Sequence, residues 1–193
     1  MKQAEEDLLV LAAQQGNEAA FNYLFRHYFA PLRRFAYQLG ADADSAQDAV
    51  QEAWIGIAKS LHRLQDVRAF RSWIFRAVRW KVLERVRNQR LQTEPLDEQL
   101  HSEFLLQEDA GPAGAERADP VNRMEQAMAQ LPAIDRQALH LFYLQEMRVS
   151  EIAIALELPA GTVKSRLHRA RQSLKTVLEA ETDEAHEEQD HEH

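Results

Sequence analysis

The stretch Ser150-Glu151-Ile152-Ala153-Ile154-Ala155-Leu156-Glu157-Leu158-Pro159-Ala160-Gly161-Thr162-Val163-Lys164-Ser165-Arg166-Leu167-His168-Arg169-Ala170-Arg171 decides the fold of the second half of the chain. Val163, Leu167, Ala170 and Leu174 recur at helical spacing and make a seam for a neighbouring element. On a helical wheel Ser165, His168, Arg169 and Gln172 point away from that seam, with Lys164, Arg171 and Lys175 on one shoulder and Arg166 on the other. That face offers hydrogen-bond donors and no acid. Upstream, Ser150 is placed to cap a short apolar helix and Pro159 to begin the next one. Two helices joined by a tight turn, the second basic, describe a helix-turn-helix whose second helix enters a DNA major groove. There Arg bonds guanine edges while Lys and Ser hold phosphates. The plainer alternative is an Arg-rich solvated helix of an ordinary bundle, and the preceding helix and turn weigh against it.

Outside this stretch, long helical periodicities without strand-like runs predict an all-α protein. A chain of 193 residues with 45% hydrophobic content can bury one or two modest cores. With no Cys there is neither a disulfide framework nor a thiolate metal site, which suits a reducing cytoplasm. The opening residues are acidic and lack an apolar signal core, and no apolar run reaches transmembrane length. A cytoplasmic protein without membrane insertion is expected.

A net charge of −8 opposes nucleic-acid binding only as an average. From Leu61 to Arg90 nine basic residues face two acids, a local excess of +7. Acids concentrate between Glu94 and Asp119, among Pro95, Gly111-Pro112 and Gly114, and again from Glu179 onward. The pattern predicts two small helical domains, 1–90 and 121–178, joined by a flexible acidic linker at 91–120 and followed by an acidic, His-containing tail at 179–193.

Within the first domain the expected helices run through 8–15, from Phe21 to Leu39 ending at Gly40, over 45–61 and over 67–89. On the last of these Phe70, Trp73, Ile74 and Ala77 share one side, and Arg76, Arg79, Arg87 and Arg90 share a narrow opposite sector able to track a phosphate backbone. Trp80 borders that sector, either as a platform for an unstacked base or as an inter-helix residue. On the third helix Val50, Ala53, Trp54 and Ile57 face inward, and Asp48, Gln51 and Glu52 form an acidic outer patch.

Three of these segments, in this order, resemble bacterial sigma factors of the small two-domain extracytoplasmic-function (ECF) group. Asp48-Ala49-Val50-Gln51-Glu52-Ala53-Trp54 is similar to the group's core-polymerase-binding helix, and Phe70-Arg71-Ser72-Trp73-Ile74-Phe75-Arg76 to the start of its minus-ten-reading helix. Ser150 to Ala153 with Gly161 to Leu167 is similar to its minus-thirty-five motif. The resemblance implies a dissociable initiation subunit with core RNA polymerase and promoter DNA as partners, an anti-sigma factor or other regulator, no cofactor and no enzymatic activity of its own. Asp48, Gln51 and Glu52 would then meet the polymerase. Arg63, Arg68, Arg76, Arg79, Trp80 and Lys81 would hold the displaced minus-ten strand, and Thr162, Lys164, Ser165, Arg166, His168, Arg169 and Arg171 would face the minus-thirty-five duplex. The chain departs from the group at Trp80, where Asn is frequent, and at Glu157, where Gly is common in the turn and another residue carries strain of order 1 kcal/mol.

A free-standing helix-turn-helix regulator would lack the first-domain motifs. An enzyme is disfavoured by the lack of a phosphate-cradling Gly loop, a nucleophile elbow or a metal-ligand pair at helical spacing. In the tail, His186, His191 and His193 among carboxylates are weak metal candidates, and such charge blocks are more often solvated.

Overall fold

The computed structural model describes residues 1–93, 124 and 127–190, and it is helical throughout its regular elements. The expected linker therefore lies, beyond Thr93, outside the described residues, as do His191, His193 and the side chain of His186. Four helices build the first half: α1 (Gln3–Gln14), α2 (Glu18–Gln38), α3 (Ala43–Ser60) and α4 (Phe70–Thr93). Their ends follow local chemistry. Asn17 caps α2 by accepting from the Ala20 amide at 3.0 Å, and Asp42 caps α3 by accepting from the Ser45 amide at 2.8 Å. Gly16 and Gly40 stop the preceding helices at φ of 89° and 87°, a left-handed geometry that a side chain would oppose.

The fourth helix starts three residues later than its periodicity predicts. Val67–Ala69 is instead a tight 3-10 turn, capped by Asp66, which accepts from the Arg68 amide at 3.1 Å. Packing of the four helices is led by aromatic rings. Phe35 meets Phe75 at 5.3 Å, Tyr28 meets Phe70 at 5.8 Å, and Trp54 meets Phe21 at 5.5 Å, each with steeply inclined planes.

In the second half a short helical turn at 127–129 leads to α5 (Ala133–Leu139), which widens into a π-helical turn at His140–Leu144. Helices α6 (Val149–Leu156) and α7 (Ala160–Asp190) follow. The α6 N-cap is Arg148 rather than Ser150, whose exposed side chain sits inside the first turn. The Arg148 amide donates to the Glu151 carboxylate at 2.6 Å, so the acid three positions on closes the helix start. The seam of α7 is as its spacing predicts: Val163, Leu167 and Ala170 are buried, packed with Ile152, Ala155 and Leu156 of α6 in the apolar core. The α7 backbone continues to Asp190, well past the expected domain limit at Leu178.

The two halves share one apolar cluster. It runs from Val10, Leu32, Phe75 and Val82 through Leu141 and Met147 to Leu156 and Leu167, with α4 lying along α6. Phe35 of α2 also contacts His140 at 5.8 Å. Burial, together with the nearby Arg34 charge, lowers the His140 pKa to about 4, so this imidazole is neutral in the fold.

Candidate polymerase and promoter interface

The polymerase-facing candidates sit on one turn of α3. Asp48 and Gln51 are exposed and Glu52 is half-buried, while Val50, Ala53, Trp54 and Ile57 are buried beneath them. Ile55, more than half exposed, extends this surface with an apolar side chain that charge patterning did not single out. The acids have partners within the chain. Arg85 of α4 bonds Glu52 and reaches Asp48 at 3.3 Å, and Lys81 reaches Glu84 at 2.9 Å and Glu52 at 3.6 Å. Burial opposes the Arg85 charge, yet Glu52 and Asp48 outweigh it and hold its pKa above the usual guanidinium value. The acidic patch of α3 and part of the basic segment of α4 thus form one mixed-charge ridge. Their separation in sequence hides this.

The minus-ten candidates divide. Arg63, Arg68, Arg76 and Trp80 are exposed, and Arg68 pairs with Asp66 at 2.9 Å. Arg79, expected on the outward stripe, is buried instead, its side chain only 5% exposed, because α6 covers that sector of α4. Burial depresses its pKa against the opposing pull of Glu157. Glu157 lies in the turn between α6 and α7 at φ 56° and ψ 44°, the left-handed conformation anticipated from its position. Its carboxylate accepts from the Trp80 indole Nε1 at 2.9 Å and from Arg79 at 3.4 Å, with Arg76 at 3.9 Å. Trp80 is thereby an inter-helix residue by its N–H while the residue as a whole remains 59% exposed. Trp80 and Glu157, the two residues singled out in the sequence as departures from the group it resembles, thus touch each other.

On α7, Lys164, Ser165, His168, Arg169 and Arg171 are exposed, and Thr162 and Arg166 are half-buried. The Ser165 hydroxyl donates to the Thr162 carbonyl at 2.9 Å, and Arg171 lies over the Phe142 ring at 5.5 Å. This face does have an acid, contrary to its own periodicity: Asp135 of α5, 1% exposed, accepts from Arg166 at 2.8 Å and from both the Nε and a terminal nitrogen of Arg169 at 3.3 and 3.0 Å. Helical spacing within α7 cannot register a carboxylate supplied by another helix. The side chain of Arg166 is 17% exposed and that of Arg169 61%, so Asp135 fixes the first and orients the second.

Family models match both halves of the chain. Residues 24–92 match the model described as Sigma-70 region 2, and residues 122–174 match Sigma-70, region 4. Among similar proteins, the ECF RNA polymerase sigma factor SigM of Mycobacterium tuberculosis is 30% identical, over 88% of this chain and 83% of its own. The ECF RNA polymerase sigma factor SigW of Bacillus subtilis is 27% identical, over 86% of this chain and 92% of its own. In fold the chain is similar to CnrH, solved in complex with the cytosolic domain of CnrY, with a TM-score of 0.63 at 23% identity over 91% of this chain and 98% of that one. It is likewise similar to the sigma factor RpoE of Bartonella quintana, solved with the anti-sigma factor NepR, with a TM-score of 0.59 at 22% identity over 82% and 96%. No helix among the described residues is long and apolar enough to cross a membrane. With regions 2 and 4 in order, the chain belongs to the extracytoplasmic-function group of the sigma-70 family, alternative sigma factors that bind core RNA polymerase and direct promoter-specific initiation of transcription.

Proposed function

We propose that the three surfaces divide the work of initiation. Asp48, Gln51, Glu52 and the adjoining Ile55 form the main docking ridge for the polymerase. Arg63, Arg68, Arg76, Arg79, Trp80 and Lys81 hold the displaced minus-ten strand, with the Trp80 ring as a stacking platform. The exposed row Lys164, Ser165, His168, Arg169 and Arg171 enters the minus-thirty-five major groove, with Thr162 at the helix start and half-buried Arg166 as its support. The observation that carries this division is the α7 face, cationic and exposed above a seam of buried Val163, Leu167 and Ala170. A helix so held can present its donors to base edges at little ordering cost. The domain limits 1–90, 91–120, 121–178 and 179–193 belong to the same reading.

The chain works in the cytoplasm without a cofactor and makes or breaks no bond itself; the polymerase does the chemistry. An anti-sigma protein or another regulator as partner is supported by the similar fold of RpoE, which was solved with the anti-sigma factor NepR. The test is transcription from a promoter library with reconstituted polymerase, joined to co-purification of core polymerase with the Asp48→Asn, Glu52→Gln double variant. Loss of core binding with a preserved helical spectrum is expected; undiminished binding would refute the docking ridge.

A further inference from the structure

Glu157 holds together parts of the molecule that the family's function requires to act on separate DNA elements. It belongs to the turn of the helix-turn-helix, yet its carboxylate is spent on α4, 77 residues away by the Trp80 hydrogen bond and 78 by the Arg79 bond. Two features mark this contact as more than a loose surface pair. Arg79 is buried, so its charge has left water and Glu157 is the anion it meets. Glu157 itself sits in the left-handed region, which disfavours every residue with a side chain. Glycine there would be the less strained choice, and it would leave Arg79 without its acid.

The carboxylate also imitates the proposed ligand. A minus-ten strand would present phosphate oxygens to Arg76 and Arg79 and an acceptor or a base face to Trp80. Glu157 supplies an anionic oxygen to the same three side chains. We propose that Glu157 is an intramolecular latch: in the free protein it takes the place of the opened strand on Arg76, Arg79 and Trp80, keeping the helix-turn-helix folded back on α4 until polymerase separates the two halves. This rests on the assignment of those three residues to the minus-ten strand. The apolar cluster that continues from α4 into α6 adds to the closure, so opening needs the binding energy of the polymerase and removing the latch opens only part of the population.

The chain has no Cys, which makes the latch measurable. Exposed Lys59 and Ser150, one on α3 and one on α6, can be replaced by Cys in the full-length protein and labelled with a donor and acceptor dye pair. Glu157→Gly removes the carboxylate and relieves the backbone; Glu157→Gln keeps length and strain and removes only the charge. Both should raise the low-transfer, open population by roughly 3- to 10-fold, the range expected when a half-exposed acid is withdrawn from one buried and one exposed guanidinium. Because apparent affinity scales with the competent fraction, binding of a single-stranded minus-ten oligonucleotide should tighten by the same factor. An unchanged dye separation in both variants overturns the latch. Opening without any gain in oligonucleotide binding leaves the latch standing and overturns the minus-ten assignment of the three residues.

Discussion

Replacing Asp135 by Asn should cost the fold about 2–3 kcal/mol and loosen promoter preference at one base of the minus-thirty-five element. The first figure follows from the site. Withdrawing one partner of a fully buried ion pair costs about 3–5 kcal/mol. Here the acid is buried but its partners are not equally so: Arg166 is 17% exposed, whereas Arg169 is 61% exposed and regains much of its hydration. Asn also keeps one acceptor oxygen while turning an amide donor toward the guanidinium groups, which moves the cost below the buried limit without removing it.

Chemical unfolding of the full chain, followed by circular dichroism, should show a lower midpoint with an unchanged slope, and thermal unfolding a drop of about 5–10 °C. Arg166→Gln should approach the Asp135→Asn loss, and Arg169→Gln should fall under about 1 kcal/mol. In transcription assays with a minus-thirty-five library, Asp135→Asn and Arg169→Ala should relax the same base position, and the double variant should be no worse than Arg169→Ala alone. A stability change under 0.5 kcal/mol would refute the energetic argument. Relaxation at different positions would refute the idea that Asp135 aims Arg169.

Lys164→Ala should weaken duplex binding evenly across promoter variants and lower the salt slope by about 1, as loss of a phosphate contact requires; a base-specific loss would place Lys164 on a base edge instead. His140 is neutral in the fold with a pKa near 4, so the unfolded chain binds the extra proton, and stability should fall progressively as pH drops from about 6.5 toward 4. The loss from this group is up to about 3 kcal/mol, and His140→Leu should flatten that limb of the pH profile in urea titrations; an equally steep limb in the variant would show the proton to be taken up elsewhere. Burial raises the Glu6 pKa and acts in the opposite direction above its ordinary value, which is why the comparison is made between variant and parent rather than from the profile alone. Asn17→Ala removes the α2 cap and should lower stability by about 1 kcal/mol in the same titration, while Asn17→Asp should retain it.

Spacing along the chain by itself determined the local elements. Helical periodicity placed the α7 seam on Val163, Leu167 and Ala170, and the glycines at 16 and 40 marked where α1 and α2 end, because these depend on neighbours three or four residues away. The same local rules identified Asp48, Gln51 and Glu52 on one face of α3 and allowed Trp80 an inter-helix role. They erred where a competing partner lay a few residues off: Arg148 with Glu151 took the α6 cap from Ser150, and Asp66 wound Val67–Ala69 into a 3-10 turn ahead of α4.

Only the tertiary structure decided which charges meet. Arg79 left the outward stripe because α6 covers its sector of α4. Asp135 entered the α7 face from a helix 31 and 34 residues earlier, and Arg85 came to Asp48 and Glu52 across 37 and 33. A helical wheel states in which direction a side chain leaves its own axis. It carries no information about what the fold brings to the other end of that direction, and for long charged side chains the partner waiting there sets whether the group stays free for DNA and polymerase or is held within the protein.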